Sequence, residues 1–194
     1  MDSEKRIAEQ EQYLTFLIAQ EEFAVRVLRV KEIIQCDTVT VVPKTPPWIR
    51  GVINLRGSVV PVVDLAVKFG QTESEVTSST CIIIIEVDLE GEHSVMGILA
   101  DAVSQVVKLR PEDIEMPPAF GTRIHVDYLL GMGKAGKKFI LVLDVDAVLS
   151  ANELLAAAEV AGAGDGSSAE GTDSQAAAAS AEPEAEGARV EAGA

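Results

Sequence analysis

Cysteine is nearly absent: Cys36 and Cys81 stand alone in 194 residues with no Cys-x-x-Cys spacing. That excludes a disulfide scaffold and a thiolate metal site, and leaves two buried free thiols as the expected state, as in a cytoplasmic protein. Long apolar runs are missing too. The longest, Cys81 to Ile85, is far below the roughly 18 residues of a membrane span, and the polar start Met-Asp-Ser-Glu-Lys-Arg is unlike a signal peptide. Neither insertion nor export is expected. Positive charge is scarce: 16 Lys and Arg face 31 Asp and Glu, a net charge of −15. General nucleic-acid binding, which draws its affinity from cations on phosphates, is therefore excluded.

A catalytic constellation is also lacking. His93 and His125 sit in polar, turn-like surroundings with no Cys or Ser nucleophile beside them. Asp127, Asp144 and Asp146 could suggest a metal, but no histidine accompanies them, and Asp144 stands where a strand gives way to a short helical pattern, the usual place of an N-cap. The segment Gly131-Met-Gly-Lys-Ala-Gly-Lys137 matches both G-x-x-x-x-G-K and G-x-G-x-x-G. Lys138 replaces the required Ser or Thr, and a strand-like run follows instead of a helix whose N-terminus would meet phosphates. A hairpin turn is expected there. No cofactor, no metal and no enzymatic activity are expected.

What remains is rich in strand signals. Gly51 and Gly57 frame an alternating stretch that sends Ile53 and Leu55 to one face and Val52, Asn54 and Arg56 to the other. The run Val59 to Val63 is apolar on both faces, although Pro61 argues for an edge strand. Asp64 then offers an N-cap for Leu65 to Phe69, with Gly70 as the stop. Upstream, Tyr13 to Ile18 and Phe23 to Val27 read as a hairpin turning at Gln20-Glu21-Glu22. Val27, Val30, Ile33 and Ile34 recur near helical spacing, and Val39 to Val42 reads as a strand. Trp48-Ile49-Arg50 makes at most one turn before Gly51. After the polar stretch Gln71 to Thr80 the same grammar repeats: strands at Cys81 to Val87, Ser94 to Leu99, Val103 to Leu109, Tyr128-Leu-Leu130 and Phe139 to Leu143. Strand-sized runs every eight to twelve residues without long helices point to an all-β barrel or sandwich, best arranged as two small barrels in tandem.

Charge is unevenly spread. Residues 153–194 carry nine acids against Arg189, whereas Ala24 to Lys68 carries seven basic residues against Glu32, Asp37 and Asp64. Arg56 lies in this basic island between two glycines, which leaves two readings open: a solvated surface charge, or an anchor for an acidic partner. From Ala161 the composition collapses to Ala, Gly, Ser and Glu, which cannot bury a core.

Over residues 11 to 152 the chain resembles the bacterial chemotaxis coupling family CheW. The resemblance rests on Val30-Lys-Glu-Ile33, Arg50-Gly-Val-Ile-Asn-Leu-Arg-Gly57, Val59-Val-Pro-Val-Val-Asp-Leu65, Gly97-Ile-Leu-Ala-Asp101 with Val103 and Val106, and Leu141-Val-Leu-Asp144. It implies two SH3-like five-stranded β-barrels, with the strand Tyr13 to Ile18 pairing into the second. It also implies a non-enzymatic adaptor, monomeric in solution and cytoplasmic, recruited to membrane receptor arrays. Its partners would be chemoreceptor cytoplasmic tips and the regulatory domain of the histidine kinase CheA. The residues expected to bind partners are Val30, Glu32, Arg50, Gly51, Asn54, Arg56, Val60 and Val106. The expected layout is a flexible arm over 1–11, a CheW-like domain over 12–152, a short helix over 153–160 and a disordered acidic tail over 161–194. Within the domain, the first barrel would take about 19–78, and the second about 79–150 with strand 12–18. The extension from Glu159 departs from the family pattern. A chain ending at Glu159 is expected to keep the thermal midpoint of the full-length protein; a midpoint many degrees lower would mean that the extension packs on the barrels.

Overall fold

The computed structural model describes residues 10–89, 91–117, 124–136 and 138–150. All of them belong to one compact unit. Eleven strands are present among these residues: β1 (Glu11–Ile18), β2 (Glu21–Arg26), β3 (Val30–Gln35), β4 (Ile49–Leu55), β5 (Ser58–Val63), β6 (Cys81–Leu89), β7 (Glu92–Ala100), β8 (Ala102–Leu109), β9 (Ile114–Glu115), β10 (Leu129–Ala135) and β11 (Lys138–Leu143). Two four-residue helices, α1 (Leu65–Lys68) and α2 (Val145–Val148), follow β5 and β11. The protein is all-β, in two sheets curled as small barrels. The first has the order β3-β6-β7-β5-β4 and the second β8-β1-β2-β11-β10-β9.

The two sheets use the same local devices. Gly51 opposes Val62 where the β4/β5 register shifts, and Gly131 opposes Val142 where the β10/β11 register shifts. Asp64 caps α1 by accepting from the Ala66 and Val67 amides, and Asp144 caps α2 by accepting from Asp146 and Ala147. The Asp64 amide donates to the Trp48 carbonyl at 2.8 Å, and the Asp144 amide to the Tyr128 carbonyl at 2.9 Å. Each sheet is completed by a hairpin that enters from elsewhere in the chain. β6–β7 lies between β3 and β5 in the first, and β1–β2 between β8 and β11 in the second. β5 meets β7, and β11 meets β2, in parallel.

The expected partition at residues 78 and 79 is corrected by this pairing. β2 joins the second barrel together with β1, while β6 and β7 join the first, because their partners β3 and β5 lie before the polar stretch 71–80. A polar loop between two strands of one sheet had the composition of a boundary. The second sheet also has six strands, counting the two-residue β9.

Several local expectations shift. The first hairpin turns on Ala19 and Gln20, both at positive φ, with Ile18 opposite Glu21. Such a two-residue connection matches the twist of its strands when both central residues have positive φ. Val27–Arg29 forms one 3-10 turn, but Val30, Ile33 and Ile34 lie on β3. Val39 to Val42 contributes only the isolated bridge of Thr40 to Val52, and Ile49 and Arg50 already belong to β4. β5 is an inner strand. β7 pairs only with its residues Val62 and Val63, so Pro61 signals the open half of a strand and not an edge strand. Gly131 to Ala135 are strand residues, and the hairpin tip narrows to the turn at Gly136 before Lys138. Glu11 already opens β1. The remainder of the expected arm, the helix 153–160 and the tail 161–194 lie outside the described residues.

The core explains the doubly apolar runs. On β6, Ile83, Ile85 and Val87 face a large cluster that takes Phe16, Phe23 and Leu14 from the second sheet and Met96, Ile98 and Val63 from the first. Ile82 and Ile84 point the other way, into the first barrel with Ile53, Val60, Val62 and Leu99. Tyr13, Ala24, Leu109, Ile140 and Val142 fill the second barrel. The barrels thus share a central apolar layer, and strands bordering it are buried on both faces.

Gly51 and Gly131 have φ of +148° and +153°, and an added Cβ would lie 2.2 Å from the Thr40 carbonyl oxygen and 2.5 Å from Ile114 Cγ2. Strained backbone and overpacking combine there. Gly51→Ala and Gly131→Ala are each expected to cost about 2 kcal/mol or more and to lower Tm by roughly 5 °C or more. Gly57→Ala meets nothing within 4 Å and carries the dihedral strain alone, about 1 to 2 kcal/mol. Equal losses for Gly51 and Gly57 in a denaturant titration would refute the distinction.

Candidate partner-binding surface

Arg56 and Gly57 form the two-residue tip between Leu55 and Ser58, at φ of +52° and +90°. The Gly57 amide donates to Asn54 Oδ1 at 2.8 Å, closing the tip from β4. Arg56 is presented because it occupies this left-handed turn position, and not because it alternates along a strand. Its side chain is 80% exposed and donates through Nη2 to Glu32 Oε2 at 2.7 Å, while Glu32 is 24% exposed. Glu32 is on β3 and Arg56 follows β4, the strands at the two ends of the first sheet's order, so the ion pair crosses the seam of the first barrel. A pair this exposed contributes at most about 1 kcal/mol and opens readily. Beside the tip, Val59 is 72% exposed.

The other expected residues divide sharply. Val60 is 3% exposed and packs inside the first barrel, so Val59, not Val60, is the β5 valine available to a partner. Val30 leans on the shared core from the start of β3. Val106 is 53% exposed, but it lies on β8 of the second sheet opposite Leu14. Glu32, Asn54 and Arg56 are brought together; Val106 forms a second locus.

Gly51 is buried against Thr40, and Arg50 belongs to an internal network. Asp64 Oδ1 accepts from the Ala66 amide at 3.0 Å, the Val67 amide at 3.4 Å and Ser74 Oγ at 3.1 Å, while Oδ2 accepts from the Ser74 amide at 3.0 Å. Arg50 Nη1 stands 3.8 Å from Asp64 Oδ2 and pairs with Glu73, and Nη2 donates to the Ser74 carbonyl at 3.4 Å. This arginine holds the stretch after α1 against β4. Nη2 is hydrogen-bonded within the chain, whereas the buried Nη1 has carboxylates beside it but no hydrogen-bond partner among the described residues.

The basic island is likewise occupied. Arg26 pairs with Glu11, Arg29 with Asp88 and Asp146, and Lys31 with Glu86. The charge excess counted along the sequence is offset by carboxylates from other elements. Leu28, 91% exposed in the 3-10 turn after β2, was missed because it falls off the helical stripe of its neighbours; an apolar residue outside every buried periodicity was the available signal. Cys36 and Cys81 are both buried, and burial pushes their thiols up. Among the described residues no cluster of His, Cys, Asp and Glu could hold a metal, and no helix is long and apolar enough to cross a membrane.

The family model for the CheW-like domain matches residues 12–153. The chain is 35% identical to the chemotaxis protein CheW of Klebsiella aerogenes over 144 residues, covering 74% of this chain and 84% of that one. It is 31% identical to CheW of Treponema pallidum over 146 residues, 75% and 86% of the two chains, and 29% identical to protein FrzA of Myxococcus xanthus over 126 residues, 65% and 76%. The crystal structure of the scaffolding protein TtCheW from Thermoanaerobacter tengcongensis superimposes with a TM-score of 0.65 at 30% identity, covering 73% of this chain and 89% of that one.

The geometry separates structural from presented carboxylates. Asp64→Ala removes the acceptor of four hydrogen bonds and strands Arg50, and should cost about 3 to 5 kcal/mol. Glu32→Ala removes only an open ion pair and should stay within about 1 kcal/mol. Urea titrations of the two variants check this ordering, which equal midpoints would overturn.

Proposed function

The chain belongs to the CheW-like family of chemotaxis scaffold proteins, and on that premise we propose that it is a non-enzymatic adaptor coupling chemoreceptor cytoplasmic tips to the regulatory domain of the histidine kinase CheA. In this reading it is a cytoplasmic monomer recruited to membrane receptor arrays. The observation that carries the proposal is the Arg56 tip: a two-residue turn that Asn54 closes by accepting from the Gly57 amide, holding out a guanidinium only loosely retained by Glu32. A partner carboxylate arriving there exchanges one exposed ion pair for a less hydrated one, while Val59 supplies apolar contact beside it. Val106, on the other sheet, gives the same chain a second place to bind.

Arg56→Asp is the sharpest test. Aspartate tolerates the left-handed turn, so Tm should hardly move, while a carboxylate placed against an acidic partner should weaken binding by about 2 to 5 kcal/mol, roughly 30-fold to several thousandfold. Affinities for a receptor signalling tip and for the CheA regulatory domain are titrated separately. Unchanged affinity for both would overturn the assignment of Arg56, and an unfolded variant would show a structural arginine instead.

A further inference from the structure

The apolar layer between the barrels supplies most of the burial, but the hydrophobic effect itself carries no direction. Directional contacts at its rim add to the side-chain packing in fixing an angle. Two stand out. At the first, Lys68 of α1 places Nζ 4.0 Å from the centroid of the Trp48 ring and 5.5 Å from that of Tyr128. Trp48 precedes β4 of the first barrel and Tyr128 precedes β10 of the second; their carbonyls accept the amides of Asp64 and Asp144, so they are corresponding residues of the two sheets. Both pack on the shared core. The Phe69 ring lies 6.1 Å from Tyr128 and 5.9 Å from Phe23, which continues the contact into the core.

At the second point, Arg29 sits in the 3-10 turn through which the chain leaves β2 of the second barrel for β3 of the first. It donates to Asp88 Oδ2 of β6 at 3.1 Å and pairs with Asp146 of α2. The Asp88 amide in turn donates to Asp146 Oδ1 at 2.8 Å. One guanidinium and one backbone amide therefore tie the end of β6 in the first barrel to α2, which follows β11 of the second.

We propose that Lys68 and Arg29 are positioning residues that lock the angle between the barrels and so set how the Arg56 and Val106 loci are presented to one another. The second half rests on the adaptor reading; the lock itself does not. The cation of Lys68 is held by rings from both barrels, and that of Arg29 by carboxylates from both, so rotation of one barrel against the other breaks both contacts as well as disturbing the shared apolar packing.

The test labels Ser58→Cys in the first barrel and Ser104→Cys in the second with spin labels, both sites being exposed and the native thiols buried. Inter-label distances are compared in the parent, Lys68→Met, Arg29→Met and the double variant, with circular dichroism confirming that each folds. The distribution should broaden in each single variant and most in the double; in 1 M salt the parent should approach Arg29→Met, because ion pairs are screened more than the ring contact. Affinity of the double variant for a receptor tip should fall about three- to tenfold, as for the loss of one or two such contacts. An unchanged distance distribution in the double variant would overturn the lock. A broadened distribution with unchanged affinity for both receptor tip and kinase domain would overturn its role in presentation. A parent chain that bound neither partner would count against the adaptor reading alone, because the distances judge the lock without a partner.

Discussion

The insertion of the β1–β2 hairpin between β8 and β11 is the constraint on which the fold depends. The second sheet cannot close until β1 has met β8, beyond the middle of the chain, and β2 has met β11, in its last third, and that hairpin also brings Phe16 and Phe23 into the shared core. Neither barrel is therefore an independent unit in sequence. The first encloses the β6–β7 hairpin, the second borrows β1–β2, and only one 3-10 turn joins the borrowed hairpin to β3. Pairings this distant along the chain raise the loop-closure cost of folding and make it slow relative to a local topology. They also make the joint between the barrels part of the core, and so the barrels fold as one cooperative body.

Electrostatics follows the same plan. A chain of net charge −15 repels itself when compact, yet the cations near its front half are set against carboxylates from distant elements: Arg26 on Glu11, Lys31 on Glu86, Arg29 on Asp88 and Asp146. Each partly exposed pair contributes little by itself. Their placement is informative: Arg26–Glu11 and Lys31–Glu86 bridge strands already paired in their sheets, whereas Arg29 joins β6 to α2, which no strand pairing connects. Arg56 differs in what it joins: its ion pair spans the seam of one barrel and leaves the guanidinium mostly in water.

Features governed by neighbours in sequence were legible beforehand. Both N-caps, the β1–β2 hairpin and the strand character of most segments all follow from short-range chemistry. Sheet membership was not, because an apolar run such as Cys81 to Ile85 looks the same whichever sheet it joins; only pairing with β3 and β5 assigns it to the first. The same limit governed Val59 and Val60. Alternation states that they face opposite ways, but which face is covered depends on a barrel built from remote strands. Arg56 was read as exposed for an incomplete reason: the glycine after it signalled the turn, whereas the positive φ of Arg56 itself has no marker in the residue type.

The glycine-framed segment at the centre of the sequence therefore holds two kinds of residue. Gly51 is required by space, since Thr40 leaves no room for a Cβ, and Arg50 beside it is bound to Asp64 and Glu73. Gly57 is required only by its dihedral angle, in open solvent, and serves to hold out Arg56. Substitutions at the first pair disturb anything the protein binds by disturbing the sheet, and their effect appears in stability as well as affinity. Substitutions at the second act on a surface whose removal leaves the sheet intact. A loss of coupling at Arg50 or Gly51 thus says little about contact with a partner until stability is measured beside it, while a loss at Arg56 with stability retained speaks directly to the interface.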